Sequence, residues 1–222
     1  MPALDKSLRF LIFSGPTREY LDPVRFISNE SSGKMGAALA DTAVKKGGRV
    51  IFVSGPAEFM PSSKTTVINV ISADDMFKAV KANFKKADII IGAAAVADFS
   101  PAVKHREKIK KNSSELILKL KKNPDIIAYC GKNKKEQVVA GFALETSGYI
   151  EKAGKKLKDK NLDLITANGK ASLGADKTSV FLINGTGKKT EIKNADKKVI
   201  AGKIIDETIR IFKNSKTRKK IS

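Results

Sequence analysis

Short apolar runs alternate along the chain with segments whose apolar residues recur at helical spacing. Leu8–Phe13, Arg49–Val53, Thr66–Val70, Ile89–Ala94, Val138–Ala143 and Leu162–Thr166 are short and rich in Leu, Ile, Val and Phe, as strands buried on both faces are. Between them a 3.6-residue period predicts helices over Lys34–Lys46, Ala73–Lys85 and Ile150–Lys160. The connections are short and marked by Gly47-Gly48, Gly55-Pro56 and Asn161. The predicted fold class is therefore α/β, a Rossmann-like, mostly parallel sheet with helices on both faces. A last helix is predicted over Asp196–Phe212, where Val199, Ile200, Ile204, Ile205, Ile209 and Phe212 share one face.

Two segments break the alternation. Lys108–Leu120 alternates charged and apolar residues as a half-exposed antiparallel ribbon does, with its bend at Asn112-Ser113-Ser114. Ser179–Ile183 and Lys188–Ile192 flank Asn184-Gly185-Thr186-Gly187 and predict a C-terminal β-hairpin. No repeat or low-complexity linker divides the chain. One domain over residues 1–213 is expected, followed by a frayed basic tail over residues 214–222.

Candidate chemistry begins after the first strand, where Ser14–Gly36 holds little that a core needs. Gly15 and Pro16 turn the chain, Arg18 and Arg25 offer forked donors for phosphate or carboxylate, and Ser31, Ser32 and Gly33 expose amides at a helix start. Ser32-Gly33-Lys34 is not a P-loop, because Met35 stands where a magnesium-binding hydroxyl belongs. The G-x-G-x-x-G spacing of a dinucleotide site is absent too. Ser32 as a plain helix cap is an equally good reading.

Further along, Gly92-Ala93-Ala94-Ala95-Val96-Ala97-Asp98 places small residues at a strand end. They leave room for a flat or phosphorylated ligand with Asp98 as acceptor, or they serve close helix packing with Asp98 an ordinary turn carboxylate. Lys108 and Lys110 fall on one face of a strand, to hold a polyphosphate or to protect a sheet edge. Lys156 and Lys160 lie four apart on a helix, where they grip phosphates together or belong to a solvated face. His105 and Cys130, the only histidine and cysteine, have no partners for a triad, a disulfide or a zinc site.

A net charge of +20 and a pI near 9.9 raise the question of nucleic acid. Only seven of the 43 basic residues are arginines, however, and Lys213–Lys220 is the one dense basic run. A lysine-biased surface, with a minority of the charge facing an anionic small molecule, is the better reading. No secretory leader is visible, and no apolar run approaches the roughly 18 residues of a membrane span, so the cytoplasm is the expected compartment.

Taken in order, the blocks G-x-T-R-E-x-L-D-P-V-R-x-I-S-N-x-S-S-G-K-M-G, A-A-V-A-D, K-I-K-K, N-P-D-I, G-F-A-x-E-T and K-N-L-D-L-I-x-A-N resemble the phosphopantothenate-cysteine ligase family, from about Leu8 to Phe212. The resemblance implies an enzyme of coenzyme A biosynthesis that joins L-cysteine to 4'-phosphopantothenate. The route runs through an acyl-nucleotide, with release of pyrophosphate and a nucleoside monophosphate. It implies that Lys108 neutralises phosphate charge in the first step and that the amide of Asn29 donates to the acyl-nucleotide carbonyl in the second.

By the same resemblance the nucleotide site comprises Gly92, Ala93, Ala94, Asp98, Lys108, Pro124, Asp125, Ile126, Ile127, Phe142, Lys156 and Lys160. Substrate contacts fall to Arg25, Asn29, Ser32, Gly33 and Lys34. CTP is favoured over ATP by the N-P-D-I and K-I-K-K blocks. Mg²⁺ is expected with the triphosphate, held by phosphate and water oxygens with no dedicated protein ligands. A homodimer through sheet edges and the ribbon after Lys111 is implied, as is a functional partnership with a separate phosphopantothenoylcysteine decarboxylase, which would carry the flavin this chain is not expected to bind. With no flavoprotein half ahead of Met1, the stand-alone ligase form is expected, or the same domain cut from a longer chain. Pro16 and Tyr20 depart from the family's commoner residues and bear on loop shape. The competing classes are an NAD(P)-binding oxidoreductase, for which the glycine fingerprint is missing, and a basic nucleic-acid-binding module.

Overall fold

The computed structural model describes residues 8–110, 115–145, 147–169 and 177–221. The chain runs β1 (Arg9–Pro16), β2 (Arg18–Tyr20), β3 (Phe26–Ser28), α1 (Lys34–Lys45), β4 (Arg49–Ser54), β5 (Thr66–Asn69), α2 (Ala73–Phe84) and β6 (Ile89–Ala95). It continues through β7 (Phe99–Pro101), β8 (Leu120–Lys122), α3 (Ile126–Asn133), β9 (Val138–Glu145), α4 (Tyr149–Asp159), β10 (Leu164–Gly169), β11 (Lys177–Asn184), β12 (Lys189–Asp196) and α5 (Lys197–Ile221).

Eight strands form one sheet in the order β12-β11-β10-β9-β6-β1-β4-β5. The six strands from β10 to β5 pair in parallel, and β11 and β12 add the predicted hairpin antiparallel at one edge. Successive residues of each central strand feed opposite cores. Phe10 and Ile12 pack with Leu39, Ala43, Ile200 and Ile204 of α1 and α5. Leu11 and Phe13 pack with Met76, Val80, Ile126 and Leu157 of α2, α3 and α4. This two-sided burial explains why the strands are continuous apolar runs without alternation. Leu11, Ile12, Ile90 and Ile91 have no accessible surface, and each contributes roughly 1.5–3 kcal/mol by burial.

Helix ends follow local chemistry. Ser72 caps α2 by accepting from the amide of Asp75, whose carboxylate returns a bond to the amide of Ser72. The alternative reading of Ser32 as the cap of α1 does not hold. Gly33 occupies the N-cap at φ 80° with no side-chain cap, a conformation that β-carbon-bearing residues rarely adopt.

Three expectations are corrected. The ribbon predicted over Lys108–Leu120 is displaced: β8 pairs with β7, twenty residues upstream, and Lys108 to Lys110 form no strand, so strand alternation does not align Lys108 with Lys110. The predicted bend at Asn112-Ser113-Ser114 lies outside the described residues. Helix α3 was not anticipated, because Pro124 and the short apolar run after it carry too little periodicity. The tail expected to fray from residue 214 continues α5 to Ile221, and Lys216 pairs with Glu136 across to the α3–β9 connection.

Candidate active site

Numbered along the sheet, the six parallel strands read 3-2-1-4-5-6, so the chain winds in opposite directions from β1. The crevice at the carboxyl ends of β1 and β6 is the place where such a sheet binds ligands. There Gly15 and Pro16 pair with Ala94 and Ala95. Thr17 Oγ1 accepts from the amide of Ala97 (3.0 Å), Ser28 Oγ donates to the carbonyl of Thr17 (2.7 Å), and Asn123 Nδ2 donates to the carbonyl of Ala97 (2.8 Å). The strand end is thereby fastened on both sides.

Asn29 follows β3 and reaches into this crevice. Its Nδ2 donates to the carbonyl oxygens of Ala95 (3.3 Å) and Val96 (3.0 Å). Because both partners can only accept, the amide orientation is set, and Oδ1 is the end left for a ligand. The donation to an acyl carbonyl expected of Asn29 is not available in this arrangement.

Beside Asn29 the next two strand ends carry the predicted nucleotide residues. Gly92 pairs with Gly141, and the space over them is filled by α3: a β-carbon at Gly92 would stand 2.6 Å from Phe13 Cζ and 2.9 Å from Ile127 Cδ1. The small size of Gly92 therefore serves helix packing, while Ala93 to Val96 beyond it remain partly exposed. Asp125 caps α3 by accepting from the amide of Ala128 (3.0 Å) and pairs with Lys160 (2.6 Å). Lys156 donates to the carbonyl of Phe142 (2.9 Å). Burial pulls the Lys156 ammonium below its ordinary value, as does repulsion from Lys160, against the pull of Asp125, Glu145 and Asp98. Burial works to raise Asp125, but Lys160 and the Ala128 amide hold it below the usual carboxylate range. Asp125, Phe142, Lys156 and Lys160 are thus brought together. The result is two lysines at the mouth of a helix N-terminus beside small residues, an arrangement suited to phosphate oxygens.

Lys108 is exposed, and no hydrogen bond joins it to that cluster among the described residues. Its position is set by its neighbour. The Ile109 amide donates to Asp22 Oδ2 (3.1 Å), and its carbonyl accepts from Arg25 Nη2 (2.8 Å). Arg25, expected to contact substrate, also donates its Nε to Asp22 (2.9 Å), so its guanidinium is committed within the protein. Arg18 stacks 4.6 Å from the centre of the Phe26 ring. Ser32, Gly33 and Lys34 lie under the β4–β5 loop: the Phe59 amide donates to the Ser32 carbonyl (3.0 Å), a β-carbon at Gly33 would stand 2.7 Å from the Ala57 methyl, and the Lys34 ammonium lies 5.5 Å from the Phe59 ring centre. Burial first, then Asp125, pushes the Cys130 thiol up to about 12, which removes it from nucleophilic chemistry.

Sequence reasoning passed over Thr17, Glu19 and Asp22, all buried. Glu19 accepts from the amide of Ala73 at the start of α2 (2.8 Å). The three-residue spacing of Asp22 and Arg25 around Pro23 is a turn signature that could have pointed to their pairing.

A cleft of about 770 Å³ lies elsewhere: between the β2–β3 hairpin, the start of α2 and the β7–β8 ribbon, where Arg18 and Pro124 line it but none of the other candidate site residues does. Its wall mixes Arg18, Lys104, Lys121 and Lys122 with Glu19, Asp74 and Asp75, whereas the β6–β9 ends bring Lys156 and Lys160 together at the N-terminus of α3. Among the described residues no group of three acidic, histidine or cysteine side chains could hold a metal, and no helix is long and apolar enough to cross a membrane.

Comparison with known proteins agrees with this fold. The profile of the DNA/pantothenate metabolism flavoprotein C-terminal domain matches residues 6–211. The coenzyme A biosynthesis bifunctional protein CoaBC of Bacillus subtilis is 43% identical over 213 residues, 94% of this chain and 52% of the relative. The chain spans about half the length of such curated relatives. The crystal structure of the C-terminal domain of a coenzyme A biosynthesis bifunctional protein CoaBC superposes with a TM-score of 0.82 at 38% identity, covering 93% of this chain and 96% of that one. A Cab2 mutant in complex with phosphopantothenate-cysteine shares the fold, with a TM-score of 0.82 at 20% identity over 96% of this chain and 89% of its own. The profile covers nearly the whole described sheet, and the chain belongs to the DNA/pantothenate metabolism flavoprotein C-terminal domain family.

Proposed function

We propose that this chain joins L-cysteine to 4'-phosphopantothenate through an acyl-nucleotide, as a ligase of coenzyme A biosynthesis. The observation that carries the reading is Asn29 tied to the carbonyls of Ala95 and Val96 in the β1–β6 crevice, next to the Lys156–Lys160–Asp125 cluster. That puts an amide acceptor one strand away from a phosphate-binding face. The match to CoaBC relatives supports the same chemistry.

In the first step a carboxylate oxygen of 4'-phosphopantothenate bonds to the α-phosphorus of the triphosphate, and the bond to pyrophosphate breaks. Lys156 and Lys160 hold phosphate oxygens, and Lys108 neutralises the charge that gathers as pyrophosphate leaves. In the second step the cysteine amine bonds to the acyl carbon, the nucleoside monophosphate leaves, and the amine gives up a proton. Asn29 Oδ1 accepts a hydrogen bond from the incoming amine and orients it. Magnesium, carried by the triphosphate, supplies charge neutralisation. Asp125 is engaged by Lys160, so phosphate and water oxygens would be the main ligands of the metal.

CTP is the preferred nucleotide in this reading, its pyrimidine edge read by backbone groups around Asp125 to Ile127. The enzyme works in the cytoplasm as a homodimer and passes its product to a phosphopantothenoylcysteine decarboxylase. The test follows pyrophosphate and amide formation separately, with CTP and ATP side by side. Lys108→Ala should abolish exchange of labelled pyrophosphate into CTP, whereas Asn29→Ala should keep exchange and accumulate the acyl-nucleotide. Loss of the same step in both variants would refute this division of roles, and wild-type protein that releases no pyrophosphate would refute the reaction.

A further inference from the structure

The β2–β3 hairpin does two jobs at its two ends. At its base Asn29 grips the end of β6. At its tip the buried Asp22 accepts from the amides of Val24 and Arg25 through Oδ1 (both 2.9 Å) and, through Oδ2, from Arg25 Nε and the Ile109 amide. Arg25 closes the ring on the Ile109 carbonyl, and the Leu21 carbonyl accepts from the His105 amide (2.8 Å). Both peptide groups of Ile109 are therefore held by an ion pair more than 80 residues away in sequence. One of those peptide groups belongs equally to Lys108 and the other to Lys110. Residues 104–110 contain no helix or strand of their own, so these bonds are what orient the segment.

We propose that Asp22 is a positioning residue for the first chemical step: through Arg25 and the backbone of Ile109 it sets where the Lys108 ammonium meets the leaving phosphates. This rests on the ligase reading given above. The carboxyl suits the task. Burial works against its charge, yet the amides of Val24, Ile109 and Arg25 and the Arg25 guanidinium keep it well below the ordinary carboxylate range, so it stays ionised at any pH the enzyme meets. A displacement of about 1 Å in a charge-stabilising group costs on the order of a hundredfold in rate, and the latch prevents such a displacement.

The test compares Asp22→Asn with the wild-type chain in three readouts: pyrophosphate exchange, cysteine capture of pre-formed acyl-nucleotide, and hydrogen exchange of the 104–110 segment. The expected result is faster amide exchange confined to that segment. It comes with a fall in exchange kcat on the order of a hundredfold, a KM for triphosphate little changed, and cysteine capture spared. Ile109→Pro removes the amide that Asp22 receives and replaces no core residue, and it also restricts the backbone of Lys108. It should show the same selective loss, and an unimpaired first step in it decides against the latch even where Asp22→Asn does not fold. An unimpaired first step in Ile109→Pro, or equal loss of both steps with exchange accelerated across the sheet, overturns the proposal. If wild-type protein catalyses neither step, the ligase reading fails, while local loosening of residues 104–110 in Asp22→Asn still reports on the latch itself.

Discussion

Lys156 shows how a residue proposed to bind phosphate is held at a cost to the fold. Its ammonium is half-buried and faces Lys160, with only the Phe142 carbonyl and more distant carboxylates in compensation. Its folded value is depressed, so between that value and the ordinary lysine value of about 10.4 the unfolded chain binds more protons, and this group's contribution makes stability rise with pH. Lys156→Met keeps the side-chain volume and removes the charge. The variant should melt at a higher temperature than wild type at pH 7, and the gap should narrow as pH approaches 10. Its affinity for triphosphate should fall by roughly 1–3 kcal/mol, about 5- to 150-fold. Calorimetry over pH and a nucleotide titration check the two halves, and an unchanged affinity would remove Lys156 from the site. At this scale the sequence was informative about identity but not about engagement. Lys156, Lys160 and Asp125 could be named from their motifs, but that Asp125 is occupied by Lys160, Arg25 by Asp22 and the Asn29 amide by two carbonyls depends on contacts between distant segments.

Elements were legible where a local pattern dictates them. The six parallel strands and the C-terminal hairpin formed within a few residues of their expected bounds, because burial on both faces demands continuous apolar runs and Asn184-Gly185 demands a turn. The three-residue strands β2, β3, β7 and β8 carry no such pattern: pairing with each other, not composition, makes them strands. Helix α3 depends likewise on the glycines that admit it, and this yields a prediction. Gly92→Ala puts a methyl within 3 Å of Phe13 and Ile127, so α3 must shift. The variant should lose about 1–3 kcal/mol of stability, read by denaturant unfolding, and its KM for triphosphate should rise because Asp125 and Lys160 move with the helix. Full stability with a normal KM would show that α3 is not the element that positions the cluster.

For the molecule as a whole, charge and exposed apolar surface point to different partners. The lysines are dispersed over the surface, whereas Phe26, Phe99 and Leu120, each at least 40% exposed, lie on the β2–β3 hairpin and the β7–β8 ribbon, which touch each other through β2 and β7. A patch of this kind suits a second copy of the chain better than it suits nucleic acid. Sedimentation at micromolar concentration should show a dimer that Phe99→Glu converts to monomer, and a wild-type monomer would end the dimer proposal.

Strand count, sheet class and the types of residue at the crevice follow from patterns a few residues long, because burial, turn geometry and helix period act locally. Which strand lies beside which, that the chain reverses its winding at β1, and that one hairpin holds Asn29 at its base and the Lys108 segment at its tip follow from packing between segments up to 87 residues apart. Such contacts are selected by the shape and hydrogen-bonding needs of the assembled core, which no short stretch of sequence carries.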